Sequence, residues 1–354
     1  MIKANNKYYY QQIAAKQVLK NALNKKYTAS VLAACPGAGK TTISHLILNM
    51  FFRSFPTAKV VVLTEGKNFL KDQYLFELQH AHVGIKFTYG TFDTCSQVQI
   101  GIPQALDSLN LAKIDLLIVD EAHNFYNAQT IKSMIKKTKP TYQILMTGSP
   151  KYFNQYNHIN TKKYAIYYIA AQELQQKQIF NNVDMDVLTV DNRLNPYLTI
   201  KQTLQQIKKS DCMDKIMIAC PNVEYASCVA SILHKKGRKI SISTYLDHDN
   251  KELNKFKTGI TDTLIVVEKG VLGFNDENIT LLIDMKCSAN IDKSYQLFAR
   301  ILRKHPDNIR KVYYRVANKN QYNREVLQLH KIYALTKSNI FKKFTGKNLK
   351  LIVR

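Results

Sequence analysis

The chain has 354 residues, of which 45% are hydrophobic and 22% charged, enough apolar material for about two domains and too much for a disordered chain. Its net charge of +25 favours a polyanionic partner such as nucleic acid or an anionic membrane surface. The longest apolar runs are too short to span a bilayer. The N-terminus lacks the apolar core of a signal peptide, so we expect a cytoplasmic protein.

Short apolar runs alternate with helical stretches along the whole chain. The runs are continuous in valine, isoleucine and leucine, a pattern typical of strands buried on both faces of a parallel sheet. In the first half the predicted strands are 30–34, 59–64, 116–120, 143–147 and 186–190. In the second half they are 215–219, 239–245, 262–268, 280–284 and 311–316. With predicted helices between them, such as 43–52 and 225–234, the chain is expected to form two α/β domains in tandem.

A polar stretch over 191–196, closed by Pro196, predicts the boundary between these domains. The expected units are 1–193, 194–318 and a basic tail over 319–354. Residues 301–354 hold 14 lysines and arginines against two acidic residues. The spacing of four apolar residues predicts a helix in the tail that packs on the second domain. These residues are Val326, Leu329, Ile332 and Leu335.

The six cysteines form no Cys-x-x-Cys pair. The eight-residue gaps between Cys212, Cys220 and Cys228 fit no common metal site. We therefore expect free thiols in a reducing cytoplasm rather than disulfides or zinc ligands.

Residues 34–41, Ala-Cys-Pro-Gly-Ala-Gly-Lys-Thr, follow a predicted strand and precede a predicted helix, which is the context of a P-loop, here with alanine for the first glycine. Gly37 and Gly39 let backbone N–H groups turn around phosphates, and the helix N-terminus adds favourable partial charge. Lys40 reaches the β- and γ-phosphates, and the Thr41 hydroxyl binds Mg²⁺. An ordinary glycine-rich turn is the alternative, and the context disfavours it. The predicted nucleotide-binding residues of this loop are Pro36, Gly37, Ala38, Gly39, Lys40, Thr41 and Thr42.

Two carboxylates, Asp120 and Glu121, end the apolar run that starts at residue 116. A parallel strand delivers them to the carboxyl edge of its sheet, where ligands bind in open α/β folds. Asp120 is predicted to hold Mg²⁺ through water, and Glu121 to contact the metal and deprotonate the attacking water. A solvated strand end is the alternative for an isolated Asp-Glu pair, and the P-loop upstream argues against it.

Asp120-Glu-Ala-His123 after Gly-Ala-Gly-Lys-Thr resembles superfamily 2 helicases and translocases of the DEAH type. The resemblance spans about residues 8–317 and is strongest to DNA motors of restriction enzymes, repair helicases and phage recombination helicases. It implies two tandem RecA-like domains with ATP in the cleft between them. Around Gln11 the sequence is similar to the upstream glutamine motif, in which the glutamine reads the adenine edge.

The second half resembles the later motifs of the same superfamily. Residues 216–222, 266–275 and 295–303 are similar to motifs IV, V and VI. The resemblance makes Arg300 and Arg303 arginine fingers, makes Gln296 a sensor of the γ-phosphate or of the attacking water, and places Gly273 and Asn275 near the nucleotide. Asn275 replaces the usual aspartate and Ala299 the usual motif VI glycine. Neither change removes an atom essential to hydrolysis.

Residues 63–73, 88–92 and 145–150 resemble motifs Ia, Ib and III. Together with motif V, this resemblance implies five nucleic-acid contacts, which are Lys67, Lys71, Thr88, Thr91 and Lys269. His123, Thr147 and Ser149 are the implied coupling residues. An ordinary solvated surface is the alternative for each lysine taken alone, and a satisfied hydrogen-bonding histidine is the alternative for His123.

The sequence therefore predicts an ATP- and Mg²⁺-dependent helicase or translocase acting on single-stranded or branched duplex DNA. Two alternatives stay open, an RNA helicase and an ATP-switched clamp or remodeller of nucleoprotein that does not unwind. The chain is nearly all motor core, so a protein partner is a candidate source of specificity. Compactness and composition suggest a phage-encoded protein acting in a bacterial cytoplasm.

Overall fold

The computed structural model describes residues 9–64, 68–80, 87–92, 95–108, 113–125, 129–148, 164–245, 247, 251–268 and 276–337. Two sheets, one in each half of the chain, form its framework. All neighbouring strands described in either sheet run parallel. The predicted α/β class and the two tandem parallel-sheet domains are confirmed.

The first sheet has the order β3-β4-β2-β5-β6-β1-β7. Its strands are β1 (Ala29–Ala34), β2 (Val60–Leu63), β3 (Tyr89–Thr91), β4 (Val98–Gly101), β5 (Leu116–Val119), β6 (Tyr142–Thr147) and β7 (Tyr164–Ile169). The accompanying helices are α1 (Tyr9–Leu23), α2 (Lys40–Ser54), α3 (Asn68–Gln79), α4 (Ala122–Phe125), α5 (Gln129–Thr138) and α6 (Ala171–Gln176). Strands β1, β2 and β5 are buried along their whole length, as continuous apolar runs require in a sheet covered on both faces.

The second sheet has the order β10-β11-β9-β12-β13-β8. Its strands are β8 (Val183–Thr189), β9 (Ile216–Ala219), β10 (Ile240–Thr244), β11 (Thr263–Val267), β12 (Leu281–Asp284) and β13 (Lys311–Ala317). Its helices are α7 (Pro196–Gln206), α8 (Val223–Lys235), α9 (Lys251–Lys257), α10 (Ile291–Phe298) and α11 (Tyr322–Thr336). None of the helices in the described part of the chain is long and apolar enough to cross a membrane.

Strand β8 belongs to the second sheet, not to the first half of the fold where the sequence placed it. It pairs with β13 along its whole length, from Val183 opposite Lys311 to Thr189 opposite Ala317. The chain therefore passes between the sheets in residues 170–182, which we call the crossing segment, before the expected boundary at 191–196. The polar residues of that expected boundary instead start α7, where the Asn195 side chain accepts a hydrogen bond from Leu198 N and Pro196 is the first helical residue.

Three strands of the first sheet have no counterpart in the sequence prediction. Strands β3 and β4 are three and four residues long and contain glycine, so they lack the valine- and isoleucine-rich run that marks the other strands. The third, β7, is rich in tyrosine and only partly buried. It lies at the sheet edge beside β1.

The predicted tail helix is present as α11 and packs on the second domain. Leu329 and Ile332 are buried, and Val326 and Leu335 pack against the same core. Helix α11 contacts β8, β13 and α10. It is therefore part of the second domain rather than an appendage to it.

Candidate functional site

The loop after β1 has the backbone shape of a phosphate cradle. Gly37 and Gly39 adopt φ values of +85° and +80°, a left-handed conformation that glycine adopts without steric cost. Gly39 is the N-cap of α2, so Lys40 and Thr41 are its first two residues. The N–H groups of this first turn have no partner inside the helix and are available to an anion.

Helix α1 packs against this loop and donates hydrogen bonds to it. Tyr10 Oη donates to the Ala38 carbonyl at 2.8 Å, and Gln11 Nε2 donates to the same oxygen at 3.2 Å. Both side chains are buried. A side chain at position 39 would collide with the Gln11 amide. Gln11 is therefore held against the phosphate loop.

The acidic residues after β5 face the phosphate loop. In the sheet β5 and β1 are separated only by β6, so the loops at their carboxyl ends are close. Lys40 Nζ lies 2.9 Å from Glu121 Oε1. The second carboxylate oxygen of Glu121 accepts from Gly148 N at 3.3 Å, and Asp120 Oδ1 accepts from Glu121 N at 2.9 Å.

The electrostatics of this pair keep both groups charged. Burial raises the pKa of Glu121, but Lys40 and His123 outweigh it and hold that pKa below its ordinary value. Burial lowers the pKa of Lys40, and the nearby carboxylates of Glu121 and Asp120 reverse this, so the pKa lies above its ordinary value. The site therefore holds an ammonium and a carboxylate, the charges needed to bind phosphate and to accept a proton.

His123 connects the acidic loop to the end of β6. Its Nδ1 lies 3.0 Å from Thr147 Oγ1 and 3.3 Å from Glu121 Oε2. Burial lowers the pKa of His123 although Glu121 raises it. Two of the three implied coupling residues, His123 and Thr147, thus meet beside the Glu121 carboxylate. Ser149 lies outside the described residues.

The second domain contributes the residues that follow α10. Burial lowers the pKa of the Arg300 guanidinium to about 10, and Glu121 of the first domain opposes that shift. Arg303 Nη2 donates to the Gly37 carbonyl at 3.4 Å. Gln296 lies on α10 and is buried. The structure therefore brings both predicted arginines to the edge of the first domain that carries the phosphate loop.

Alanine at position 299 needs no special backbone. Ala299 has φ −63° and ψ −13°, an ordinary helical conformation. Its side chain is buried, and its carbonyl oxygen lies 3.9 Å from the position of a Cβ at Gly37. Alanine at this position is thus accommodated without backbone strain.

The implied nucleic-acid residues are only partly described. Lys71 lies on α3 and pairs with Asp72 at 3.6 Å. Thr91 ends β3, at the edge of the sheet that carries the phosphate loop. Thr88 precedes that strand, at the opposite edge, and its hydroxyl accepts from Gln97 N at 3.0 Å. The remaining predicted site residues, Lys67, Lys269, Gly273 and Asn275, lie outside the described part of the chain.

Two residues at the site have no signal in the sequence motifs. Asp292 on α10 acts electrostatically on His123 across the domains. Phe180 of the crossing segment lies against Gly37. Both come from stretches without glycine or charge patterning, and only the packing of the two domains brings them to the loop.

Part of the chain matches a known protein family. Residues 5–152 match the family model described as "Type III restriction enzyme, res subunit", which is less than half of the chain. Among curated proteins none matches the sequence significantly.

Solved structures match nearly the whole chain. Saccharomyces cerevisiae Dbp5, bound to RNA and ADP BeF3, superimposes with a TM-score of 0.64 at 14% identity, covering 94% of this chain and 92% of Dbp5. A fragment of a putative HsdR subunit of a type I restriction enzyme from Vibrio vulnificus YJ016 gives a TM-score of 0.65 at 15% identity, covering 89% of this chain and 65% of the fragment. The chain therefore has the fold of these proteins, with two RecA-like parallel-sheet domains in tandem.

Proposed function

We propose that this protein is an ATP-dependent motor of the DEAH type that translocates on DNA or unwinds it. The observation that carries the proposal is the composite site. Lys40 and Glu121 of the first domain form a buried pair, and Arg300 of the second domain lies within electrostatic reach of that carboxylate. A site divided in this way is complete only when the domains are together, which links chemistry to domain movement.

The residues present fit a nucleotide with Mg²⁺. The left-handed backbone at Gly37 and Gly39 opens the first turn of α2 to phosphates. Lys40 would hold the terminal phosphates, and the Thr41 hydroxyl and the Asp120 carboxylate would hold the metal. Among the described residues no group of three or more His, Cys, Asp or Glu side chains is placed to hold a metal. Mg²⁺ suits this site because it takes few protein ligands and is completed by phosphate and water.

Bound ATP would supply the phosphoryl group, and Mg²⁺ held by Thr41 and Asp120 would neutralise part of its charge. Glu121 accepts the proton of the attacking water, a role for which its lowered pKa keeps it ionised. Arg300 stabilises the charge that develops on the transferred group. His123, in contact with Thr147 and Glu121, relays changes at the carboxylate to the end of β6.

DNA is the proposed track because the net charge of +25 suits a polyanion and two comparisons name restriction-enzyme subunits. Lys71 and Thr91, with Lys67 and Lys269, are the proposed phosphate contacts. RNA is the second candidate, because the Dbp5 structure was solved with RNA. The cytoplasm is the proposed site of action.

The test is steady-state ATP hydrolysis with no nucleic acid, with single-stranded DNA, with duplex DNA and with RNA. The Glu121→Gln variant is the blank, because it keeps the size of the side chain and removes its charge. Stimulation by DNA that is absent from the blank supports the proposal and identifies the track. Stronger stimulation by RNA would favour the RNA helicase. Hydrolysis that no nucleic acid changes would overturn the proposal and favour a switch activated by a protein partner.

Strand displacement separates a helicase from a clamp. A fluorescent strand annealed to a longer DNA is mixed with the protein and ATP, and release of the strand is followed. Release that requires ATP and an intact Glu121 indicates unwinding. Stimulated hydrolysis without release indicates translocation or remodelling.

Binding of the protein to DNA should weaken steeply with added salt if phosphates provide most of the contacts.

A further inference from the structure

The crossing segment forms a short ribbon with the chain that follows α10. Phe180 and Arg303 face each other in an antiparallel bridge. Asn181 N donates to Leu302 O at 2.7 Å, and Lys304 N donates to Ile179 O at 3.2 Å. The backbone of Arg303 is therefore fixed by the segment that joins the two domains.

The Phe180 side chain extends from this ribbon to the phosphate loop. It is 3% exposed, and its Cζ lies 3.3 Å from where a Cβ on Gly37 would stand. The Gly37 carbonyl accepts from the Arg303 guanidinium at 3.4 Å. Phe180 and Arg303 thus both contact Gly37 and are joined to each other through their backbones.

The turn that presents Phe180 is itself firmly held. Phe180 N and Ile179 N both donate to Leu174 O at the end of α6, at 3.1 and 2.8 Å. The Asn181 side chain donates to Ile309 O at 3.1 Å. The hydrogen-bonded turn and the burial of the ring thus hold Phe180 beside the phosphate loop.

We propose that Phe180 is a positioning residue that couples the phosphate loop to Arg303. A movement of Gly37 pushes on the ring, and the ribbon transmits that movement to the backbone of Arg303. The inference rests on the proposed nucleotide site. It assigns to the crossing segment a part in closing that site, beyond simply joining the domains. Phe180 belongs to the apolar core, and its ring also lies against the backbone of the phosphate loop at Gly37, which a residue serving only the core would not do.

The first test compares Phe180→Ala and Phe180→Leu with Phe256→Ala. Phe256 is fully buried on α9, and α9 packs on β10, the strand farthest from β8 in the second sheet. Its truncation controls for the loss of a buried ring. A misplacement of about 1 Å costs roughly 10²-fold in rate, so we expect kcat for ATP to fall about 10- to 100-fold in Phe180→Ala. The KM for ATP should change much less, Phe180→Leu should recover part of kcat, and Phe256→Ala should leave kcat unchanged.

An unchanged kcat in Phe180→Ala, or an equal fall in Phe256→Ala, would overturn the proposal. A higher KM for ATP with kcat unchanged would do the same, because it would mean that the ring supports only nucleotide binding.

The second test does not depend on turnover. The chain contains no tryptophan, so Phe180→Trp introduces a single fluorescent reporter between the phosphate loop and Arg303. Saturating ADP with beryllium fluoride should shift its emission, and the shift should be absent when Lys40→Ala is added. Emission that stays the same with bound nucleotide would overturn the proposal.

Failure of the proposed motor function and failure of the proposed coupling through Phe180 would give different results. A wild-type protein without nucleic-acid-stimulated hydrolysis, but with a nucleotide-dependent emission shift in Phe180→Trp, would end the proposed motor function and keep the coupling. Stimulated hydrolysis with no effect of Phe180→Ala would keep the motor and end the coupling.

Discussion

Lys40 Nζ and Glu121 Oε1 form an ion pair of 2.9 Å between the ends of β1 and β5. Both side chains are largely buried, so each is the main compensation for the other's charge. The same two groups are the ones that would contact the terminal phosphate and the attacking water. The pair therefore keeps the site in its ionised form, and a phosphate that enters must share Lys40 with Glu121.

Glu121→Gln should abolish most hydrolysis and keep nucleotide binding. The amide cannot accept the proton of water, and loss of a general base of this kind costs about 10²–10⁴-fold in rate. Nucleotide should bind at least as well, because a negative charge near the phosphates has been removed. Titration with a fluorescent ADP analogue and steady-state ATP hydrolysis measure the two effects. Lys40→Ala is the opposite control, since it should lose binding together with turnover. A Glu121→Gln variant with wild-type kcat would contradict the assignment.

Arg300→Ala should remove turnover without removing binding. The Arg300 guanidinium interacts electrostatically with Glu121 of the other domain, where charge would develop on the transferred phosphoryl group in the proposed reaction. Removal of an arginine finger costs about 10³–10⁵-fold in kcat. Arg300→Lys should recover little, because an ammonium lacks the planar fork of the guanidinium. Lys235→Ala, an exposed cation at the end of α8, is the matched control and should behave as wild type. Equal kcat in Arg300→Ala and the control would exclude Arg300 from the site.

The sequence was sufficient for the parts of the site made by local backbone chemistry. The glycine pattern at 37–39 predicts left-handed residues before a helix, and Gly37 and Gly39 adopt them. The buried run that ends at Val119 predicts a carboxylate at the edge of the sheet, and Glu121 reaches Lys40 there. Each of these features depends on residues that are neighbours in the chain or on the edge rule of parallel sheets.

The features that the sequence did not predict depend on packing between residues that are far apart in the chain. Whether β8 joins the first or the second sheet depends on its pairing with β13, more than a hundred residues away, and its own apolar pattern suits either sheet. Phe180 likewise has an ordinary local sequence. Its contact with Gly37 exists only because the crossing segment turns back between the two domains.

His45 should make stability depend on pH. Burial lowers the pKa of His45 on α2 to about 4, from 6.5 in the unfolded chain, and its ring packs edge-on to Tyr74 at 4.9 Å. Between these values the unfolded chain binds a proton that the folded protein does not, so stability falls as the pH drops. From pH 6.5 to pH 5 the loss should be about 2 kcal/mol.

Urea unfolding at both pH values, for wild type and for His45→Phe, isolates this effect. The phenylalanine keeps an aromatic ring beside Tyr74 and cannot take a proton. The difference in the free energy of unfolding between the two proteins should therefore change with pH by that amount. A difference that stays constant between pH 6.5 and pH 5 would show that His45 does not titrate as its burial implies.

Glu325→Ala should destabilise the second domain because it breaks a buried ion network. Arg315 Nη1 lies 3.0 Å from Asp284 Oδ2, and its Nη2 lies 2.6 Å from Glu325 Oε2 on α11. All three side chains are at most 1% exposed. In Glu325→Ala the Arg315 guanidinium keeps Asp284 but loses its contacts to Glu325, and removal of one partner of a buried ion pair costs about 3–5 kcal/mol.

Arg324→Ala is the matched control for this network. Arg324 pairs with the same carboxylate at 2.6 Å, but its side chain is 50% exposed, so its loss should cost at most about 1 kcal/mol. The free energy of unfolding in urea measures both variants. Truncation after residue 318 should destabilise at least as much as Glu325→Ala, because it removes Glu325 together with the apolar face of α11. Equal stability of the two point variants would mean that α11 is not anchored through Arg315.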